Sequence, residues 1–239
     1  EDPHTLVVAR AGCPVIIGLG IGENFVASDV AALLPVTRKF VFLDEGDVAV
    51  VHRDNVTIYD SYGEETERPI KESELSADAA ERGKFLHYMQ KEIHEQAAAI
   101  SRTIENRIKD GKVLDTALGS EVTKVLDKTR GVHIVACGTS YHAGLIARYW
   151  IEQLCKLPCT VEIASEYRYR SPAVPEGTLF VTISQSGETA DTLAALQLAK
   201  QINYISTLAI CNVSESSMVR ESEFVMMTHA GPEIGVAST

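Results

Sequence analysis

From residue 132 onward, short apolar runs rich in β-branched residues alternate with segments of helical periodicity, and this alternation constrains the fold more than any other feature. The runs Val132-His-Ile-Val-Ala136, Cys159-Thr-Val-Glu-Ile163, Leu179-Phe-Val-Thr-Ile183, Ser206-Thr-Leu-Ala-Ile210 and Glu223-Phe-Val-Met-Met227 are predicted strands. Helices are predicted over 141–154, near Glu166, over 190–201 and over 216–221. Parallel strands need crossover connections, so the fold class is α/β, a doubly wound parallel five-stranded sheet with helices on both faces and a flavodoxin-like strand order. Ligands of such sheets bind beyond the carboxyl ends of the strands, where the winding reverses.

Two turns stand at such ends. One strand leads into Ser184-Gln-Ser-Gly-Glu-Thr189 and then the helix Ala190–Lys200; another leads into Cys137-Gly-Thr-Ser140 and its helix. The first turn of a helix offers unpaired N–H groups and the positive end of the macrodipole, which suits an anion. Ser184, Ser186 and Thr189 add hydroxyls, and Gly187 permits close backbone approach, more than a single helix cap requires. No lysine occurs in the turn, against a nucleotide-binding P-loop, so a sugar phosphate is the expected ligand. Glu188 is expected to point away and support a helix start. If the two strands are first and third in the winding, both turns face one crevice.

Composition narrows the partners. The 239 residues are 45% hydrophobic, with no apolar run of membrane length, and the net charge of −11 disfavours nucleic acid and anionic membranes. Cys13, Cys137, Cys155, Cys159 and Cys211 are odd in number and scattered, which fits a reducing compartment, and Cys155 and Cys159 have no paired Cys/His set nearby, which disfavours a zinc site. No His/Asp pair is spaced to make Cys137 a nucleophile, and no metal or cofactor is expected. The arginines of Glu166-Tyr-Arg-Tyr-Arg170 are expected to form ion pairs at a domain or subunit contact. The start, Glu1-Asp-Pro-His4, has no Met, and the chain is read as a piece of a longer one.

Residues 5–60 read as mostly antiparallel strands, including Val48–Val51 and Val56–Tyr59 around a turn at Arg53-Asp-Asn55, with a short helix over 29–34. Gly18-Leu-Gly-Ile-Gly22 is read as a tight turn, since the strand-like sequence after it does not fit a dinucleotide fingerprint. Residues 60–83 are charged and nearly free of large apolar side chains, a predicted linker. The spacing of Phe85, Met89, Ile93, Ala97, Ile100, Ile104 and Ile108 predicts one long amphipathic helix, or two, ending near Asp110-Gly111. A further helix is expected over 114–129. His87 and His94 fit no zinc-protease spacing.

The motifs His87-Tyr-Met-Gln-Lys-Glu-Ile93, Cys137-Gly-Thr-Ser-Tyr141, Ser165-Glu-Tyr-Arg-Tyr-Arg170, Ser184-Gln-Ser-Gly-Glu-Thr-Ala-Asp-Thr192 and Glu233-Ile-Gly-Val-Ala-Ser-Thr239 resemble, in order, those of the glucosamine-6-phosphate synthase family, the isomerizing glutamine:fructose-6-phosphate amidotransferases. Gly12–Asn24 resembles the last part of that family's glutaminase domain. The resemblance implies three regions: 1–60, a C-terminal remnant of an N-terminal nucleophile glutaminase domain; 61–83, a linker; and 84–239, the first sugar isomerase (SIS) lobe with its leading helices. It implies phosphate binding by Ser140, Ser184, Gln185, Ser186 and Thr189, and sugar contacts from Cys137, Gly138, Thr139, Val236 and Ser238. Family members convert fructose 6-phosphate and glutamine to glucosamine 6-phosphate, so a cytoplasmic homodimer with these partners is implied. The family's nucleophilic cysteine, glutamate base, Schiff-base lysine, ring-opening histidine and C-terminal tail have no counterpart here, so no catalytic residue is assigned and the chain alone is expected to be inactive. The alternative is a non-catalytic sugar-phosphate-binding SIS module of a regulator.

Overall fold

The computed structural model describes residues 4–73, 82–114, 117 and 119–235. It divides into two compact units, 1–81 and 82–239.

The first unit is all-β, as its alternating sequence requires. Strands β1 (Leu6–Ala9), β2 (Ile16–Leu19), β3 (Asn24–Ala27), β4 (Lys39–Phe42), β5 (Val48–Val51), β6 (Val56–Tyr59), β7 (Glu65–Thr66) and β8 (Ile70–Glu72) form two antiparallel sheets, ordered β1-β5-β6-β7 and β3-β2-β4-β8. Successive side chains on a strand face opposite ways, so neighbours on β2 and β4 serve different clusters. Ile17 and Val41 join Leu43, Ala49, Val51 and Ile58, bringing residues of both sheets into one core. Ile16 and Phe40 turn the other way and pack against Val30 and Leu33 around a single 3₁₀ turn, Val30–Ala32. The β5–β6 hairpin closes with His52 N–H donating to Asn55 O at 2.9 Å and pairs Val51 with Val56, at the expected turn.

Two expectations for this unit are corrected. The charged stretch after residue 60 was predicted to link, yet it holds β7, paired with β6, and β8, paired with β4. Arg68 there donates two hydrogen bonds, each 2.8 Å, to Asp47, which is 1% exposed. Burial alone would raise the Asp47 carboxyl, but the hydrogen bonds from Arg68 and the Asp44 N–H hold it below the usual range. The expected linker residues 74–81 lie outside the described residues. Gly18, placed in a turn by the sequence reading, sits in β2, where a Cβ would meet Thr37 Cγ2 at 2.7 Å. The turn begins at Gly20, whose N–H donates to Glu23 O at 3.0 Å.

The second unit begins with α1 (Tyr88–Ile104), which has no buried residue. Its apolar stripe was expected to run to Asp110-Gly111, but the helix ends at Ile104. Asp110 (φ 53°) and Gly111 (φ 74°) instead form the two-residue turn between β9 (Ile108–Lys109) and β10 (Lys112–Val113). Positive φ at both central residues is what a tight hairpin demands, and Asp-Gly supplies it.

Beyond α2 (Ser120–Lys128) the α/β pattern unfolds as predicted: β11 (Gly131–Ala136), α3 (Gly138–Trp150), β12 (Cys159–Ile163), α4 (Ala164–Tyr167), β13 (Thr178–Ser184), α5 (Ala190–Ala199), β14 (Ser206–Cys211), α6 (Ser217–Glu221) and β15 (Phe224–Met227). All five strands are parallel, in the order β12-β11-β13-β14-β15, so β11 and β13, first and third in the chain, are neighbours. Core lies on both faces. Val135, Tyr167, Phe180, Leu193, Leu196 and Met218 fill one side, while Val132, Ile134, Leu179 and Val181 face the other with Val125 and Ala147.

Candidate functional site

Parallel strands β11 and β13 pair Ala136 with Ile183 at their carboxyl ends, so the turns that follow start side by side. Between them lies a cleft of about 260 Å³ lined by Thr139, Ser140, Ala143, Ile183, Ser184, Gln185, Ile210, Thr228 and Glu233. The first turn of α3 thus contributes Thr139 and Ser140, and the turn before α5 contributes Ser184 and Gln185.

Local geometry shows what the hydroxyls do. Thr189 occupies the N-cap position of α5 with no side-chain cap bond, and Cys137 does the same at α3. Capping therefore does not account for Thr189; its hydroxyl lies 3.4 Å from that of Ser184. Ser184 is buried, and its Oγ accepts the Gly187 N–H at 3.0 Å, while Ser186 Oγ accepts the Glu188 N–H at 3.2 Å. Gly187 holds φ at +66°, and a Cβ there would meet Ser216 Oγ at 2.1 Å and Cys211 Sγ at 2.7 Å. The turn is consequently fixed by packing beneath it as well as by its own hydrogen bonds.

Glu188 behaves as the repulsion argument requires. Its Oε1 accepts the Ser217 N–H at 2.8 Å, at the start of α6. The first-turn carboxylate of α5, Asp191, pairs with Arg168 Nη1 at 2.8 Å. The residues lining the cleft include no lysine or arginine, so an anion bound there would rely on hydroxyls, amides and helix starts.

Of the sequence-assigned residues, Thr139, Ser140, Ser184 and Gln185 line one cleft. Ser186 and Thr189 belong to the same turn without lining it. Gly138 opens α3 at φ +55°, and Cys137 packs beside the core with its Sγ 3.8 Å from Thr192 Oγ1. Val236 and Ser238 lie outside the described residues. Sequence reasoning missed Thr228 and Ile210 as lining residues, although their positions just past β15 and near the end of β14 are where the strand-end rule points. Glu233 stands in an irregular segment six residues beyond the last strand, and only the resemblance of the motif Glu233–Thr239 pointed to it, without giving it a role.

Both arginines of Glu166-Tyr-Arg-Tyr-Arg170 form ion pairs, but within the unit, whereas the sequence reading had placed them at a domain or subunit contact. Arg168 bonds Asp191, and Arg170 bonds Glu162 through both Nε and Nη2. Glu162 also lies 2.8 Å from His133 Nε2, whose ring accepts or donates to Tyr204 at 2.7 Å through Nδ1. Burial lowers the His133 imidazole below its ordinary range despite Glu162.

Comparison with known proteins locates this architecture. Residues 126–239 match the SIS domain model. Over all 239 residues the chain is 56% identical to the isomerizing glutamine–fructose-6-phosphate aminotransferase of Photorhabdus laumondii and 58% identical to that of Shewanella oneidensis, spanning 39% of each relative. The C-terminal domain of glucosamine-fructose-6-phosphate aminotransferase from Francisella tularensis superimposes with a TM-score of 0.65 at 53% identity, over 67% of this chain and 45% of that one. Tagatose-6-phosphate ketose/aldose isomerase from Escherichia coli shares the fold, with a TM-score of 0.51 at 22% identity over 61% of this chain and 41% of its own. The chain spans about two fifths of the length of the curated relatives, isomerizing glutamine–fructose-6-phosphate aminotransferases that it matches over its own whole length, and its residues 126–239 match the SIS domain.

Proposed function

We propose that this chain supplies the sugar-phosphate-binding lobe of an enzyme that converts fructose 6-phosphate and glutamine to glucosamine 6-phosphate and glutamate. The observation that carries the reading is the convergence of two hydroxyl-bearing turns, one after β11 and one after β13, on a single cleft. A phosphate of charge about −1.5 to −2 meets helix starts and hydroxyls there. Ser140, Ser184, Gln185, Ser186 and Thr189 are assigned to the phosphate, and Cys137, Gly138, Thr139, Val236 and Ser238 to the sugar. The full protein is read as a cytoplasmic homodimer. Among the described residues no helix is long and apolar enough to cross a membrane.

The regulator reading is not favoured, because the similarity to aminotransferases extends through the first unit as well as the SIS lobe. The chain by itself is expected to form no glucosamine 6-phosphate from fructose 6-phosphate with glutamine or ammonia, since base, amine and substrate must be held together for such a reaction.

Calorimetric titration with fructose 6-phosphate tests the site. Each hydrogen bond to a charged group contributes about 1.5–3 kcal/mol, so Ser184→Ala or Thr189→Ala should weaken affinity about tenfold to a hundredfold. Unchanged affinity in both variants would place the phosphate elsewhere.

A further inference from the structure

A second cleft of about 300 Å³ adjoins the first and shares Gln185 and Glu233 with it; α1 forms its other wall through Met89, Glu92, Ile93 and Gln96. The segment between these walls is the strap 228–235, which leaves β15 and passes the mouth of the first cleft. It is tied on one side by Asn212, which accepts the Ala230 N–H at 2.8 Å and donates to Gly231 O at 2.7 Å. On the other side it is tied to α1 twice. At one end Arg102 Nε donates to His229 O at 3.1 Å and Thr103 Oγ1 accepts the His229 N–H at 2.9 Å. At the other end Glu92 Oε1 accepts two backbone donors, the Ile234 N–H at 2.8 Å and the Gly235 N–H at 2.9 Å.

Glu92 and the strap meet closely at Gly235. A Cβ there would lie 2.4 Å from Glu92 Oε2, although the backbone is not in the left-handed region that would by itself call for glycine. A side chain at 235 would therefore push the Glu92 carboxylate out of its present place. No described residue of α1 is fully buried, and these polar ties fix its register on the strap alongside the half-buried Met89 and Ala99.

We infer that Glu92 is a positioning residue for the cleft: by chelating the Ile234 and Gly235 amides it holds the strap, with Glu233 at the cleft wall, in the arrangement that receives the sugar. The inference rests on the sugar-phosphate reading above. Glu92 lines the second cleft and not the first, so it acts on the sugar end of the ligand through the strap. A strap in place for only a tenth of the time would lower apparent affinity tenfold without any change in the phosphate turns.

Calorimetry of the whole chain separates these effects, with fructose 6-phosphate and inorganic phosphate as the two probes. Glu92→Ala should weaken fructose 6-phosphate about tenfold and leave inorganic phosphate within about twofold, while Glu92→Gln, whose amide oxygen can accept the same two N–H groups, should restore affinity to within about twofold of wild type. Gly235→Ala, which breaks the contact from the other side, should match Glu92→Ala. Amide exchange at Ile234 and Gly235 in the ligand-free protein should accelerate in Glu92→Ala and Gly235→Ala and stay slow in Glu92→Gln. If Ser184→Ala weakens fructose 6-phosphate while Glu92→Ala does not, the positioning role is wrong and the site reading stands. Parallel loss of both probes in Glu92→Ala would also overturn it, as a general structural effect. Failure of the wild-type chain to bind fructose 6-phosphate, or of Ser184→Ala to weaken it, would overturn the site reading and the inference with it.

Discussion

The two units bury polar groups to different ends. In the first, Asp47 is enclosed and both its oxygens are taken by Arg68, so a buried charge locks a loop onto its own sheets. In the second, Ser184 is also buried but stands at the end of a strand, where it lines a cleft with Gln185 beside it. Antiparallel strands reverse direction at every turn, which scatters the turns over both ends of a sheet. Parallel strands all finish at one edge, so the polar residues of several turns collect there. The difference explains why two hydroxyl-bearing turns share one cleft in the second unit while the Arg68–Asp47 pair in the first serves only to hold the chain in place.

The largest expected effect breaks the comparison on the first side. Arg68→Ala leaves Asp47 enclosed without its guanidinium, and removing one partner of a buried pair costs about 3–5 kcal/mol. Urea unfolding followed by probes in each unit should show the transition of residues 1–73 shifted and that of the SIS lobe in place. Equal shifts in both would mean that the units do not respond separately to this charge.

Gly187→Ala strikes the second side. It combines a left-handed backbone, costing about 1–2 kcal/mol, with a Cβ that collides with Ser216 and Cys211, adding about 1–3 kcal/mol. Thermal unfolding of the SIS lobe should drop accordingly and sugar-phosphate binding should be lost. An unchanged melting temperature would show that the turn is free to move.

Acidification sharpens the contrast with smaller effects. The folded His133 imidazole titrates below its unfolded value of about 6.5, held down by burial against Glu162, with Arg170, Tyr167 and Tyr204 beside it. Below about pH 6.5 the unfolded chain therefore takes up a proton that the folded lobe refuses, and stability falls as pH drops toward the folded value. Asp47 is depressed as a carboxylate, so its contribution is present above about pH 4 and is lost only as pH falls through its lower folded value. Denaturant midpoints measured from pH 8 to pH 4 should decline first for the SIS lobe, and His133→Gln should flatten that decline. A first unit that weakens earlier would contradict this ordering.

How much of this was legible in the sequence also differs between the units. The five parallel strands were readable because each is a short, β-branched apolar run, fully or nearly fully buried in the central β11 and β13; β12 spans Cys159–Ile163 as expected, and the others differ by only a residue or so at their ends. β7 and β8 were not readable. β8 is an edge strand with every residue exposed, so its Ile70-Lys-Glu72 carries no apolar alternation. The β9–β10 hairpin was masked by a coincidence of spacing, because Ile104 and Ile108 continue the helical period across a chain that Asp110-Gly111 then reverses. At the site, the hydroxyl turns announced themselves by composition, and the strand order followed from the repetition. The strap did not, since its role depends on Glu92, 142 residues before Ile234 in the sequence, and on backbone amides that no residue type reveals.

The convergence of two turns on one ligand is tested most directly by a double-mutant cycle between Ser140→Ala and Ser184→Ala, read by calorimetry with fructose 6-phosphate. If Ser140 from the α3 turn and Ser184 from the β13 turn hold the same phosphate, their effects should be non-additive, with a coupling of about 0.5–3 kcal/mol, while folding midpoints of all three variants change far less. Additive losses within about 0.3–0.5 kcal/mol, or a loss confined to one of the two variants, would mean that the turns do not share a ligand.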